Sequence, residues 1–249
     1  MKNYQGWKDL QTRQSKEILS ELMEASEEAR ALLLISATGL GKSNTIKLFM
    51  NRKPKFTYCI TVGASFKLIN IVDALLDEMG IEYGHLRNHL VHKKLNLISG
   101  YLKSLPASNT VPTIIIDEAE NLQPSVLKMI KELYDAIHSH ASIVLIGTEQ
   151  ILDAILNRKH KNRQSVPQLW RRFKAGTRYI SPLKKDRDFK QFFDLYIPGN
   201  IALQALLISL CNNYGELHDY LDPVLARASK QGKEPSEELC RLLHKIPNA

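Results

Sequence analysis

Eight consecutive residues, Ser36-Ala37-Thr38-Gly39-Leu40-Gly41-Lys42-Ser43, combine two glycines, a lysine and hydroxyls directly behind the apolar run Ala31-Leu32-Leu33-Leu34-Ile35. Glycines where a strand turns into a helix let successive backbone N–H groups ring a polyphosphate. In such a loop Lys42 reaches the β- and γ-phosphates, the Ser43 hydroxyl holds Mg²⁺, and Thr38, Gly39, Leu40 and Gly41 supply the backbone cradle. The usual first glycine is replaced by another small residue, Ser36.

A second group of polar residues sits where other apolar runs end. Thr113-Ile114-Ile115-Ile116 closes in Asp117-Glu118, 75 residues after Lys42. Asp117 is suited to take Mg²⁺ through its water shell, because that hard cation prefers carboxylate and phosphate oxygens. Glu118 is placed to orient and deprotonate an attacking water. Ser142 to Gly147 is a further apolar run, and the Thr148 hydroxyl behind it is placed to contact the γ-phosphate or the water. Arg171-Arg172, between Trp170 and Phe173, would offer a guanidinium to the γ-phosphate of a neighbouring subunit, the alternatives being a DNA contact or a surface salt bridge. His85, His89 and His92 share helical spacing, but basic Arg87, Lys93 and Lys94 among them would repel a cation, so no metal site is expected there.

The elements that must position these groups alternate. Apolar spacing predicts an amphipathic helix over 7–24, a strand over 31–36, a helix from Lys42 to Met50 and a strand over Phe56 to Val62. Helices over 66–79 and 86–104, a strand ending at Glu118, a helix over Ser125 to Ile137, a strand over 142–148 and a short strand over Arg178 to Ile180 follow. This order predicts an α/β parallel sheet with its ligand groups at the carboxyl ends of the strands. Beyond Pro182 only helices are expected, near 186–196, 201–212, 215–229 and 235–244. The expected division is an N-terminal helix and linker (1–29), a nucleotide-binding domain (30–182) and a helical domain (183–249).

The chain has 249 residues, 44% of them apolar, and a formal charge of +8. Arg158 to Lys190 holds twelve lysines and arginines against two aspartates, so the remainder sums to −2. His85 to Ser104 adds Arg87, Lys93, Lys94 and Lys103 without an acid. Concentrated positive charge points to a polyanionic partner, most simply nucleic acid. Three scattered cysteines, no leader-like N-terminus and no 18-residue apolar run predict a reduced cytoplasmic protein, away from membranes.

The order of motifs resembles the AAA+ ATPases that serve DNA transposition, the group of the phage Mu B protein and related transposon helper ATPases. The likeness rests on the loop 36–43, on Ile116-Asp117-Glu118-Ala119-Glu120-Asn121-Leu122, on Leu145-Ile146-Gly147-Thr148-Glu149 and on Gln168-Leu169-Trp170-Arg171-Arg172-Phe173. Thr61 to Gly80 and a short loop from Asn157 to Gln168 share it, so the resemblance covers about 30–185. It implies a P-loop AAA+ three-layer parallel sheet followed by a small helical lid, with ATP and Mg²⁺ as cofactors. Position by position, it implies nucleotide ligands at Lys42 and Ser43, an Mg²⁺-associated acid at Asp117, a catalytic base at Glu118, a first sensor at Thr148 and an intersubunit finger at Arg172. His218 falls where many members carry a second sensor arginine. The Mu protein has an extra N-terminal DNA-binding region, whereas about 30 residues precede the first strand here. The implied function is ATP-dependent assembly, as a filament or ring, on double-stranded DNA without sequence preference, presenting that DNA to a transposase. Lys67, Lys93 and Lys94 are the expected DNA contacts, with the Arg158 to Arg163 segment as their rival.

Two other functions compete. Asp9-Leu10-Gln11-Thr12-Arg13-Gln14 has a slight likeness to the adenine-reading segment of superfamily-two helicases, which need a second large domain. The same AAA+ core also serves regulatory and secretion ATPases that ignore DNA.

Overall fold

A computed structural model describes the backbone of residues 4–53, 55–84, 86, 90–106, 111–161 and 166–247, and side chains there except those of 157–161 and 166. His85, His89, Arg87 and the side chains of Arg158 to Arg163 therefore lie outside the described residues. The chain divides into two compact units, one of 17–37 and 45–180, the other of 1–16, 38–44 and 181–249.

The larger unit is built on five strands, β1 (Ala31–Ile35), β2 (Thr57–Thr61), β3 (Thr113–Asp117), β4 (Ser142–Gly147) and β5 (Thr177–Tyr179). They form one sheet in the order β2-β3-β4-β1-β5, every pair parallel. Every carboxyl end thus emerges at one edge. β1, β3 and β4 are buried at every position, as strands covered on both faces must be. Strand alternation divides them between two cores. Leu33, Ile35, Ile114, Ile116, Ile143 and Leu145 face one, with α3 (Leu68–Glu78), α4 (Val91–Ser104), α5 (Pro124–Ile137), α6 (Glu149–Lys161) and α7 (Val166–Phe173). Leu32, Leu34, Ile115, Val144 and Ile146 face the other, with α1 (Arg13–Glu28) and α2 (Lys42–Arg52).

Three expectations about elements are corrected. The first helix begins at Arg13 rather than 7, because the Thr12 hydroxyl accepts the Ser15 N–H at 3.1 Å and caps it, while Trp7 and Leu10 pack elsewhere. α4 begins at Val91, later than the charge pattern suggests. Of the expected loop 157–168, the stretches 157–161 and 166–168 are helical, since α6 runs to Lys161 and α7 starts at Val166, while 162–165 lie outside the described residues.

The smaller unit gathers α8 (Lys185–Asp188), α9 (Lys190–Tyr196), α10 (Ile201–Leu210), α11 (Tyr214–Lys230) and α12 (Glu237–His244) around Phe189, Phe192, Phe193, Leu203, Leu207, Leu217 and Leu221. Trp7 stacks with both Phe192 and Tyr196, at centroid distances of 5.3 and 4.9 Å. Leu40 is 2% exposed inside this core, so the middle of the glycine loop packs with the helices.

A buried carboxylate, Asp188, anchors the start of these helices. It accepts the Lys184 N–H at 2.9 Å, Arg187 Nε at 2.8 Å, Gln14 Nε2 at 3.1 Å and Arg13 Nη2 at 3.4 Å. Burial alone would raise its pKa; hydrogen bonds from Arg187, Lys184, Gln14 and Arg13 outweigh it and hold the carboxyl well below the usual range. A depressed folded-state pKa contributes stability above the unfolded value of about 4 and loses it as pH falls below that. Asp188→Asn should therefore lower the melting temperature at neutral pH and flatten its decline under acid. Thermal melts between about pH 3 and pH 7 check this, and parallel acid limbs would refute it.

Candidate nucleotide site

The glycine loop leaves β1 and returns into α2. Gly39 and Gly41 hold φ of +70° and +83°, a left-handed region that L side chains avoid. At Gly39 the demand is double, because a Cβ there would come within 2.3 Å of Asn213 Oδ1. Gly39 O accepts the Tyr214 N–H at 3.0 Å, and Asn44 Nδ2 donates to Asp9 Oδ1 at 3.3 Å, so both ends of segment 38–44 are tied within the smaller unit. Lys42 is half-buried, while Thr38 and Ser43 are exposed.

The carboxyl edge of the sheet collects the other predicted groups. Ser36, just past β1, donates its N–H to Gly147 O at 2.9 Å, which sets the start of the loop beside the end of β4. Asp117 is 2% exposed at the tip of β3, and its Oδ1 accepts the Glu118 N–H at 2.9 Å. Glu118 is left-handed, with φ 54° and ψ 42°, although it is not glycine. That conformation costs about 1–2 kcal/mol and swings the carboxylate out of the strand into the open. Backbone strain of this kind concentrates at sites of function. Neighbouring acids thus acquire different surroundings, one enclosed and one exposed.

Among the described residues Thr148 Oγ1 has no hydrogen-bond partner although it is screened from solvent. An orphaned hydroxyl of this sort costs about 1–3 kcal/mol, which a phosphate oxygen or a bound water would offset. The orphaned Thr148 hydroxyl and the buried Asp117 carboxylate, both at the carboxyl edge of the sheet, fit phosphate oxygens with a hard divalent cation.

Two contributors escaped the sequence reading. Glu120 Oε2 accepts the Thr148 N–H at 3.3 Å, fixing the end of β4. Asn121 Nδ2 donates to Val62 O at 2.8 Å and to Glu118 Oε2 at 3.4 Å, so it steers the exposed carboxylate and ties it to the end of β2. The acid-rich run Asp117 to Asn121 was their only visible signal.

Other predicted residues lie apart. Arg172 is tied by Nε to Asp135 Oδ1 at 2.9 Å, and Lys131 holds the other oxygen at 2.9 Å. Burial would raise the Asp135 pKa, but these two partners outweigh it and hold the carboxyl low. Arg172 must therefore exchange Asp135 for any phosphate it serves, whereas Arg171 beside it is exposed. His218 contacts Asp219 at 3.0 Å and stands edge-on to Trp7 at 5.0 Å. Gln14 is 0% exposed with its amide spent on Asp188 and Ser181 O, which removes it as an adenine reader.

Lys67 and Lys93 are exposed, at the start of α3 and on α4. Lys94 corrects the expectation. Its side chain is 1% exposed, bonded to Asp73 Oδ1 at 2.7 Å and lying 4.6 Å from the Tyr83 ring, so it faces inward and offers nothing to a polyanion. Among the described residues no cluster of metal-ligating side chains occurs, and no helix is long and apolar enough to cross a membrane.

A family model described as an AAA domain matches residues 24–156, more than half of the chain. No curated protein matches it. Among solved structures, it is similar to the Orc1 protein of Aeropyrum pernix in complex with DNA, with a TM-score of 0.69 and 15% identity over 96% of this chain and 66% of that one. It is similar to Cdc6p from Pyrobaculum aerophilum at a TM-score of 0.70 and 16% identity, over 97% and 69% of the two chains. Replication initiator DnaA bound to AMPPCP and single-stranded DNA follows at 0.58 and 16%, over 94% and 65%. At such identities the likeness establishes the fold, and the chain spans about two thirds of the length of these structures.

Proposed function

Because the chain belongs to the AAA-domain family of P-loop ATPases, we propose that it assembles on double-stranded DNA with ATP, without sequence preference, and delivers that DNA to a transposase that it stimulates. Lys42 and the loop N–H groups hold the phosphates. Ser43 and Asp117 would hold Mg²⁺, which when bound would supply positive charge to offset that of the phosphates. Glu118 takes the proton of the attacking water, Asn121 keeps its carboxylate aimed, and Thr148 fixes the water or the γ-phosphate. Arg172, released from Asp135, meets the phosphate of an adjoining copy and makes hydrolysis depend on assembly.

The observation that carries the hydrolytic part is the left-handed Glu118 beside buried Asp117 at the tip of a central strand. Support for DNA comes from the charge concentrated in 158–190, from exposed Lys67 and Lys93, and from two similar structures having been solved with DNA. Support for a transposase partner is the order of motifs 36–43, 116–122, 145–149 and 168–173.

Electron microscopy with duplex DNA, with and without ATP, tests the proposal. Filaments or rings on DNA only with ATP, and stimulation of a transposase by them, are expected. A monomer hydrolysing ATP indifferently to DNA would overturn it in favour of a regulatory ATPase. The contacts are tested by salt titration. Each of Lys67→Ala and Lys93→Ala should flatten the dependence of log affinity on log salt by about one phosphate contact. Lys94→Met should leave that slope alone; a change there would mean that the inward lysine reaches DNA after all.

A further inference from the structure

The smaller unit contains a chain of buried polar contacts that the hydrolytic chemistry leaves unused. Tyr214 stands at its centre with two anchors. Its backbone N–H holds Gly39 O at 3.0 Å, and its hydroxyl donates to Gln14 Oε1 at 2.7 Å. Burial, aided by the negative charge of Asp188, pushes the phenol up to about 12, so the hydroxyl remains a donor at every working pH. Gln14 passes the link on, giving its amide hydrogens to Asp188 Oδ2 at 3.1 Å and Ser181 O at 3.3 Å. Asn213, the cap of α11, accepts the Glu216 N–H at 2.8 Å and lies against Gly39.

The dependence is sharpest between Tyr214 and Gln14. Gln14 is wholly buried, so loss of the Tyr214 hydroxyl leaves its carbonyl oxygen without a donor. Loss of that anchor loosens the first turn of α11, and with it the Tyr214 N–H that holds the Gly39 peptide. The neighbouring peptides are those whose N–H groups must converge on phosphate.

We propose that Tyr214 is a positioning residue for nucleotide binding, its hydroxyl locking α11 through Gln14 and Asp188 so that its own N–H holds the glycine loop in the phosphate-ready shape. This rests on the ATPase reading. A loop that is competent only part of the time weakens apparent affinity by the competent fraction, while bound nucleotide restores the shape.

Tyr214→Phe keeps the ring contacts with Phe189 and Phe192, at 5.9 and 5.6 Å, and removes only the hydroxyl. Full-length variant and wild type are compared for binding of a fluorescent ATP analogue, for KM and kcat, and for amide exchange across 38–44. KM and the dissociation constant should rise about tenfold, with kcat at saturation within about twofold and faster loop exchange only without nucleotide. Gln14→Leu should reproduce the split, and the double variant should be no worse than the worse single. A purely structural role predicts a smaller active fraction, seen as lower kcat at unchanged KM, and that result would overturn the proposal, as would full additivity. Lys42→Ala separates the two ideas: if wild type binds the analogue no better than this variant, the nucleotide reading itself fails.

Discussion

Glu118→Gln should bind ATP as wild type does and hydrolyse it about 10²–10⁴-fold more slowly. The amide matches the carboxylate in shape and can still accept from Asn121 Nδ2, so the left-handed backbone and the loop are undisturbed. It cannot take a proton from water, and the barrier rises for that reason alone. Single-turnover phosphate release, read beside equilibrium binding of the analogue, separates the two effects. On DNA the same variant should persist as an assembly that no longer comes apart. Wild-type turnover in Glu118→Gln would assign the base to another residue.

Gly176→Ala should unfold the larger unit more readily than any surface change. A Cβ at this position would lie 2.1 Å from Ala31 O and 3.4 Å from Leu32 Cα, and both are backbone. β1 cannot retreat, because it is paired on both sides, with β4 and with β5. The clash must be relieved by breaking the β1–β5 pairing or moving the buried turn, at about 3 kcal/mol or more. In a chain of this size that lowers the melting temperature by roughly 6–12 °C. Gly100→Ala is the control, since it lies within α4 with nothing inside 4 Å of a Cβ, and should be neutral or slightly stabilising. Equal melting of the two variants would show that the close approach at Gly176 is relieved cheaply.

The parallel sheet could be read from the chain because strands covered on both faces leave continuous apolar runs, each ending in a residue of different chemistry. The turn at Gly39 and Gly41 was equally open to reading, since few side chains tolerate that backbone. Helices α6 and α7 were not read. Their buried residues, Ile151, Ile155, Leu169 and Phe173, fall on either side of a dense basic stretch that obscures the helical period. Lys94 was misjudged for a related reason: charge along a sequence does not reveal which lysine finds an acid, and its partner Asp73 sits 21 residues away. Glu120 was missed because its partner is the main chain of Thr148, and contacts between side chain and distant backbone leave no periodic trace.

Leu40 gives the loop an unusual dependency. Its buried side chain belongs to a core whose other buried members, from Phe189 to Cys240, enter only in the last third of the chain. Cutting the protein after Ile180 would keep all five strands yet strip the walls from this leucine and the donor from Gly39 O. Dissection into a soluble catalytic fragment therefore fails at the turn it was meant to preserve. A graft of this loop into another scaffold must bring a greasy socket with it.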